Sequence, residues 1–517
     1  MIGSSIGGCV FIRFWVLLFR YTPVIYLASL AALHLRNGRS AAADVAARVL
    51  YGLLAAELLF YLLIYLPFTR RLTLKAVHPD PPSPEARRAL FDQCMDNVHD
   101  MEHYLRWWFQ GAEMVELRRD NLREFLHWAF FGFEGADDGE KAAIEREIDS
   151  YIARMEGRLG YALLDGKGSA RSIRLTLDDV ETTYRSLLWY IVMFSMDQMT
   201  HLALLWHGFH YYARDVSSAI KTFPPRPQEL LAGRRSRGPS LSYYHRPHRS
   251  RDALPVLFIH GIGIGLWTYI RFLADIYAAG RSPSGKDGTG VVAIEILPVS
   301  FRLTSPPLDK AEFLRQISAI LNHHGLDRFT VVSHSYGSVP TAHMIRCPTL
   351  KHRIRSVVLI DPVSILLHCP DVAYNFTRRR PQKANEWQLW YFASTDPGVA
   401  HCLGRHFFWQ ENILWKEDLL DCSADNSAQN GAGAIAKGTK TGRRVVAVCL
   451  AGQDILVDTA SVARYLAGQV PFDEQVNGHE AGIKVIMFPT LDHAQVFDSP
   501  PECDQVVQLI RLYCNDT

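Results

Sequence analysis

The chain contains 517 residues, so it is longer than one ordinary domain and is predicted to combine a core domain with additional segments. Its 55 Lys and Arg residues nearly balance 53 Asp and Glu residues, and the formal net charge of +2 gives no reason to predict nucleic acid as a partner. The nine cysteines are odd in number and form no Cys-x-x-Cys pair, which argues against a zinc or redox site and a disulfide framework and favours a reducing compartment.

The N-terminal region contains two apolar stretches. Val49–Phe68 carries one charge, Glu57, and matches the ~20 apolar residues that cross a bilayer. Val10–Leu35 precedes it and is also apolar apart from two arginines. The pattern predicts a membrane hairpin that turns near Asn37–Ser40, with residues 1–76 as the anchor and the lipid bilayer as a partner.

A signal peptide and a buried soluble hairpin are the alternatives for this region. A signal peptide has a basic start and one short apolar core, whereas the first charge here is Arg13 and a second apolar stretch follows. A soluble hairpin would carry a polar stripe, which Val49–Phe68 lacks. If both stretches span the membrane, the N-terminus and the rest of the chain after the hairpin lie on the same side of it. We predict that this side is the cytosolic face of an intracellular membrane such as the endoplasmic reticulum or a lipid droplet.

Residues 77–225 are predicted to be mostly helical. The helices are expected at Glu85–Met95, 100–131, 139–158 and 178–205. Ser186–His207 is apolar almost all round and is interrupted by Asp197 and His201, so it is either a third span or, as we favour, a buried or interfacial helix. The arginine-rich residues 226–252 are predicted to be a disordered, solvated linker, with contact to anionic lipid headgroups as the alternative.

A glycine-rich turn follows the first strand predicted in the C-terminal half. Leu254–Ile259 is a buried-strand pattern, and His260, Gly261, Ile262 and Gly263 come directly after it. Glycines let the backbone turn tightly and direct N–H groups into a cavity. We predict that the backbone N–H groups of Ile262 and Tyr336 form an oxyanion hole, and that His260 shapes the turn.

Ser335 lies at a predicted strand-to-helix turn. Arg328–Val332 reads as a strand, and a helix can begin just after Gly337. Small residues two before and two after a serine let strand and helix approach each other while the hydroxyl stays exposed. Ser333 and Gly337 meet this requirement, although glycine is usual at the first position. The alternative is that Ser335 is an ordinary helix cap.

Acidic and histidine residues follow three later strands. Arg444–Leu450 precedes Asp454, and Ile483–Phe488 precedes His493. A histidine that removes the serine proton and an acid that orients the histidine complete a Ser–His–Asp triad. Asp361, which follows the predicted strand Ser356–Ile360, is the alternative acid.

The order Ser335, Asp454, His493 resembles that of the α/β-hydrolase superfamily, AB hydrolase-1 type. The resemblance implies a mostly parallel sheet flanked by helices over residues 253–517, with a cap insertion at about 362–443. Over its whole length the chain is also similar to uncharacterised fungal membrane-associated hydrolases. The low-complexity stretch Ser423–Thr441 in the insertion is predicted to be a mobile loop. Eight insertion aromatics are predicted to line an acyl pocket or to pack the insertion itself: Trp387, Trp390, Tyr391, Phe392, Phe407, Phe408, Trp409 and Trp415.

Taken together, these patterns predict a membrane-anchored serine hydrolase that cleaves a carboxylic ester or thioester with an apolar portion. No metal or organic cofactor is predicted, because the triad chemistry needs none. Two alternatives stay open. One is a catalytically silent scaffold that binds lipid or a protein partner, and the other is an acyltransferase that uses the same three residues.

Overall fold

The structure is a computed structural model that describes residues 3, 5–35, 40–132, 138–279, 288–421, 444–467 and 482–515. The predicted hairpin turn lies outside the described residues except for Ser40, whose hydroxyl caps the second helix. The low-complexity stretch at 423–441 also lies outside them.

One mixed sheet organises residues 210–488. Its strands within the described residues are β1 His210–Tyr212, β2 Tyr243–Arg246, β3 Val256–Ile259, β4 Val291–Ile294, β5 Phe329–His334, β6 Ile354–Ile360, β7 Val445–Ala451 and β8 Ile483–Phe488. The order across the sheet is β1-β2-β4-β3-β5-β6-β7-β8. β2 is antiparallel to β1 and β4, and the pairs from β4 through β3 to β8 are parallel.

Helices surround this sheet and precede it. They are α1 Ile6–Leu35, α2 Ala41–Phe60, α3 Leu66–Thr69, α4 Pro84–Asp96, α5 Met101–Trp108, α6 Arg119–Leu126, α7 Asp138–Leu159, α8 Leu187–Trp206, α9 Val216–Ile220, α10 Pro227–Leu231, α11 Ile270–Ala279, α12 Lys310–His323, α13 Ser338–Arg346, α14 Pro370–Thr377, α15 Ala384–Leu389, α16 Pro397–Arg405, α17 Trp409–Asn412, α18 Lys416–Leu420, α19 Thr459–Ala467 and α20 Pro500–Asn515.

The central strands are buried on both faces. Every residue of β3, β4 and β5 is buried, and apolar clusters lie on both sides of the sheet. Parallel strands covered by helices on both faces read as continuous apolar runs, which is why β3, β5 and β7 were recognisable in the sequence. The sheet order, the flanking helices and the turn after β5 define the α/β-hydrolase fold, as predicted.

The predicted linker at 226–252 is wrong, because this segment contains α10 and β2. Arg226 is fully buried and donates hydrogen bonds to Asp197 on α8 and Glu295 after β4. These buried ion pairs neutralise the charge of the arginine in the interior, and they attach the segment 226–252 to α8 and to the end of β4. The charge run therefore includes core ion pairs as well as surface arginines.

Residues 77–225 contain the helices α4 to α9 and also β1. The predicted start of the hydrolase domain at residue 253 is therefore wrong, because β1 and β2 add two strands to the sheet before it. The helix predicted at 100–131 is divided, because Gln110 and Gly111 adopt φ values of +61° and +82° after α5. Several hydrogen bonds join this region to the insertion, among them those of Arg185, Arg378 and Arg405 and those of two tryptophans. The Trp108 indole N–H donates to the His368 carbonyl at 3.1 Å, and the Trp409 indole N–H donates to the Ala129 carbonyl at 3.0 Å.

Two helices in the described residues are long and apolar enough to cross a membrane. They are α1 and the continuous helical segment Ala41–Thr73 that begins with α2. One face of α1 packs on the rest of the protein through Ile12, Val16 and Phe19. α8 is not among these candidates, and its buried Asp197 lies in the ion-pair network with Arg226.

Candidate active site

Ser335 lies on a tight turn between β5 and α13. Its φ of +51° is strained for a residue with a side chain, and the turn is held by a hydrogen bond from the Ser338 hydroxyl to the Ser335 carbonyl at 2.7 Å. A Cβ added to Gly337 would lie 2.3 Å from the Ile259 carbonyl oxygen, and one added to Gly261 would lie 2.8 Å from the Ser335 Cβ. Glycine is therefore required at both positions for β3, β5 and α13 to approach one another.

Three side chains from separate turns form a hydrogen-bonded row. The His493 Nε2 lies 2.9 Å from the Ser335 Oγ, and the His493 Nδ1 lies 2.7 Å from the Asp454 Oδ2. The other oxygen of Asp454 accepts hydrogen bonds from the N–H groups of Leu456 and Val457. These contacts fix the carboxylate, which in turn favours a proton on Nδ1 and leaves Nε2 facing the serine hydroxyl.

Asp361, the alternative acid, has different partners. Its Oδ1 accepts the N–H of Ala451 and its Oδ2 accepts the N–H of Ala494, each at 2.9 Å. Asp361 is 3% exposed, and its φ is +44°. The geometry thus pairs the His493 ring with Asp454, while Asp361 holds the backbone of the turn that carries the histidine.

Burial and charge set the protonation of this group. Burial raises the pKa of Asp361 to about 6, with a further contribution from the nearby Asp454. Burial acts to lower the pKa of His493, but Asp454 and Asp361 outweigh it and raise this pKa to about 9. Two carboxylates beside one imidazole stabilise the imidazolium form, which is the form that follows proton transfer from a serine.

The neighbouring histidines are both buried. The His334 Nδ1 lies within hydrogen-bond distance of the Tyr269 hydroxyl, at 2.8 Å, and burial lowers the pKa of His334 well below its usual value. His260 accepts the Ile296 N–H at its Nε2 and lies 2.7 Å from the Gly261 carbonyl through its Nδ1. Both are neutral side chains that hold the turns around Ser335. The contribution of Tyr269 was missed in the sequence, where nothing linked it to the turn.

The predicted oxyanion residues border the cavity at Ser335. Ile262 and Tyr336 both line this cavity. The Gly263 N–H donates to the Val299 carbonyl at 3.1 Å, so this amide fixes the glycine-rich turn. Two backbone N–H groups from these positions are the kind of donors that stabilise a tetrahedral oxyanion.

The cavity above Ser335 and His493 is apolar and has a volume of about 280 Å³. Of the eight insertion aromatics, Phe392, Phe407 and Trp409 line it. The helical region contributes Trp108 and Trp128, which the sequence did not connect with the site. The insertion and the helical region therefore form the cover over the serine together.

Asp361, Asp454 and His493 also have ligand atoms within 4.8 Å of one another, a spacing at which a metal ion can be held. The oxygens of both aspartates already accept hydrogen bonds from backbone N–H groups or from the imidazole. A cation would compete with these donors, so the donor set fits a proton relay better than a metal site.

No protein-family model and no curated protein sequence matches the chain. The likeness to fungal membrane-associated hydrolases therefore stays a prediction. One similar solved structure is a membrane phospholipase A described as a bacterial virulence factor, with 13% identity, a TM-score of 0.36 and coverage of 64% of this chain and 94% of that one. A carboxylesterase from Bacillus subtilis has 11% identity, a TM-score of 0.33 and coverage of 61% and 98%. A thermophilic esterase from Thermogutta terrifontis has 12% identity, a TM-score of 0.32 and coverage of 53% and 93%. Similarities this low carry no conclusion about activity.

Proposed function

We propose that the protein is a membrane-anchored serine hydrolase that cleaves a carboxylic ester or thioester with an apolar portion. The observation that carries this proposal is the row Ser335, His493, Asp454 at the base of an apolar cavity. Serine, imidazole and carboxylate at hydrogen-bond distance activate a hydroxyl for attack on a carbonyl carbon.

The steps follow from the positions of these groups. The Ser335 Oγ attacks the carbonyl while His493 accepts its proton, and Asp454 stabilises the imidazolium that forms. The backbone N–H groups of Ile262 and Tyr336 stabilise the oxyanion. His493 then gives its proton to the leaving alcohol or thiol, and water releases the acyl group from Ser335 by the same route in reverse.

The cavity supports an apolar acyl portion. Its walls include Trp108, Trp128, Phe376 and Phe407, and its volume of about 280 Å³ is close to the lower end of the range for small-molecule sites. An aromatic wall excludes water from a bound chain and favours apolar over charged substrates. A substrate with a charged group next to the scissile carbonyl would lose its hydration without gaining a partner.

Residues 1–76 act as the anchor in this proposal, with α1 and α2 in an intracellular membrane and the hydrolase domain in the cytosol. Residues 77–209 and the insertion that begins at about residue 362 act as the cover of the hydrolase domain, whose sheet begins at β1. Acyl transfer is a second outcome of the same chemistry, in which an alcohol or thiol replaces water. A silent scaffold is disfavoured, because such a protein has no need of a complete row of three aligned side chains.

Labelling with a fluorophosphonate tests this function, because the probe reacts with an activated serine. Wild type in detergent should be labelled and Ser335→Ala should not. Ser333→Ala is the matched control: Ser333 lies two residues earlier, within β5, is 1% exposed and has a hydroxyl without a hydrogen-bond partner among the described residues. Equal labelling of wild type and Ser335→Ala, or none in folded wild type, would refute the proposal.

A further inference from the structure

α8 is apolar around nearly its whole circumference but is buried on one face only. Trp189, Met193 and Leu204 are buried against the protein. The opposite face carries large apolar side chains with high exposed fractions: Ile191 52%, Met199 47%, Leu202 65% and Trp206 89%. At about 100° per residue these four fall within a stripe roughly 80° wide, and at about 1.5 Å per residue the stripe is roughly 22 Å long. One exposed polar residue, Ser195, also lies within it, and its hydroxyl donates to the Ile191 carbonyl at 3.0 Å. The outward face of a helix in water is normally polar, so this stripe indicates an apolar environment.

The start of α8 is fixed between the two apolar helices of the N-terminal region. Both carboxylate oxygens of Glu57 on the helix α2 lie 3.0 Å from the Leu187 N–H. The Ser186 N–H donates to the carbonyl of Phe19 on α1 at 3.2 Å. These bonds use N–H groups that a helix start leaves unsatisfied. α8 is therefore held rigidly beside helices whose own outer faces are apolar and exposed.

α10 extends the apolar surface beside α8. The Gln198 side-chain amide donates to the Gln228 side-chain oxygen at 3.0 Å, which joins the two helices. On α10, Leu230 and Leu231 are 52% and 83% exposed. Lys221 before α10 and Arg234 and Arg235 after it are exposed basic residues. An apolar surface flanked in the chain by basic residues fits acyl chains below anionic headgroups.

We propose that the outward stripe of α8 and the tip of α10, termed the α8–α10 surface (Ile191, Met199, Leu202, Trp206, Leu230 and Leu231), is seated in one leaflet of a phospholipid bilayer. This contact is additional to the anchor α1–α2 and does not depend on the proposed chemistry. A bilayer is favoured over a protein partner because the surface is continuous with two helices that have the length and composition of membrane spans. Contact of this surface with the bilayer holds the hydrolase domain in one orientation relative to the membrane, which a flexible link to an anchor would not do.

Lipid photo-crosslinking tests this proposal. The full chain is reconstituted in phosphatidylcholine vesicles with a fifth of phosphatidylserine and a trace of phosphatidylcholine that carries a diazirine in one acyl chain, and adducts are mapped by mass spectrometry. Adducts are expected within 187–206 and 227–231 as well as within 6–73.

The double variant Leu202→Glu, Trp206→Glu should lose adducts at 227–231 by about tenfold, because charged side chains are expelled from the apolar layer. Val115→Glu is the control, since Val115 is 79% exposed beside Glu113 and Glu116 and should change nothing.

Two results would overturn the proposal. One is a wild-type map with adducts confined to 6–73. The other is crosslinking between the α8 helices of two copies with no lipid adducts there, which would mean that a second copy covers the surface. Hydrolysis of a short soluble ester in detergent is measured in parallel and should be equal in wild type and the double variant, which also shows that the variant is folded. If wild type itself does not hydrolyse the ester, this result counts against the proposed function but not against the membrane contact.

Discussion

The Asp361 Oδ2 accepts the N–H of Ala494 at 2.9 Å, immediately after the histidine that faces the serine. Ala494 has a φ of +65°, so this turn needs an external partner to hold its shape. The other oxygen of Asp361 accepts the N–H of Ala451 at the end of β7. Asp361 therefore ties the two turns that carry His493 and Asp454, while Asp454 contacts the imidazole itself.

The two aspartates should differ in what their loss does to hydrolysis. Asp454→Asn leaves the imidazole facing an amide that can stabilise the wrong tautomer, and kcat should fall by about 10³- to 10⁴-fold. Asp361→Asn keeps one acceptor for a backbone N–H and should lower kcat only by about tenfold. Steady-state kinetics on a short-chain ester measure both. Equal losses, or a larger loss for Asp361→Asn, would show that the acid is assigned to the wrong residue.

The pH profile should follow the pKa of His493. The neutral imidazole accepts the Ser335 proton, so activity grows as pH rises toward the raised pKa of about 9. For an uncharged ester, log(kcat/KM) should rise with a slope of about one below that pH. Asp361→Asn removes one of the negative charges that raise the pKa and should move the rising limb to lower pH. A wild-type profile that already levels off near pH 6 would contradict this.

The same raised pKa has a consequence for stability. The protonated imidazole is the form that the two carboxylates stabilise in the folded state. Its contribution is fully present below the unfolded pKa, which is about 6.5, and is lost as pH rises through about 9. The unfolding midpoint of wild type, measured in detergent relative to that of His493→Ala, should therefore fall as the pH rises from about 6.5 to about 9. A difference that is constant over this range would contradict the assignment.

Gly337 should not tolerate a side chain. In Gly337→Ala the new Cβ would meet the Ile259 carbonyl at 2.3 Å, and the displacement of β3 from α13 should cost about 1–3 kcal/mol. Gly157→Ala is the control, because Gly157 lies on an exposed face of α7 with nothing within 4 Å of the new Cβ. That variant should gain up to about 1 kcal/mol from helix propensity. Thermal unfolding in detergent compares the two, and similar midpoints would contradict the packing argument.

Glu57 should stabilise the attachment of the anchor to the body. Glu57→Ala removes the acceptor for the Leu187 N–H and for the Tyr184 hydroxyl, and it should lower the free energy of unfolding by about 1–2 kcal/mol. Glu57→Gln keeps one acceptor oxygen and should lose less. The readouts are the unfolding midpoint in detergent and proteolysis near the start of α8. An unchanged midpoint for Glu57→Ala would mean that the two parts are held by apolar contacts alone.

Long buried strands and sharp turns were readable in the sequence because local patterns determine them. β8 was predicted with its observed bounds, since a run of apolar and β-branched residues between turns has few other readings. The spacing of Ser335, Asp454 and His493 after separate strands placed them at one edge of the sheet, where parallel strands end together. The roles of the three residues remain proposals that the experiments above test.

Features that depend on distant contacts were not readable. β2 contains a histidine and an arginine, so it lacks the apolar run of a buried strand. β4 was missed although its four residues are as apolar as the four of β3, which was predicted. Arg226 reads as a surface charge until Asp197 and Glu295 are seen around it. The cavity wall at Trp108 depends on a hydrogen bond to His368, 260 positions away in the chain. No window along the sequence contains both partners.

Identification of the acylated residue by mass spectrometry shows whether Ser335 is the nucleophile. Wild type is mixed with excess ester, quenched in acid within the first turnover and digested with trypsin, and the peptide 329–346 is sequenced by mass spectrometry. The mass of one acyl group is expected on Ser335. It should accumulate before the steady state, be absent from Ser335→Ala and be retained in Ser333→Ala. Ester cleavage at the wild-type rate by Ser335→Ala, or an acyl group on another residue, would contradict this role of Ser335.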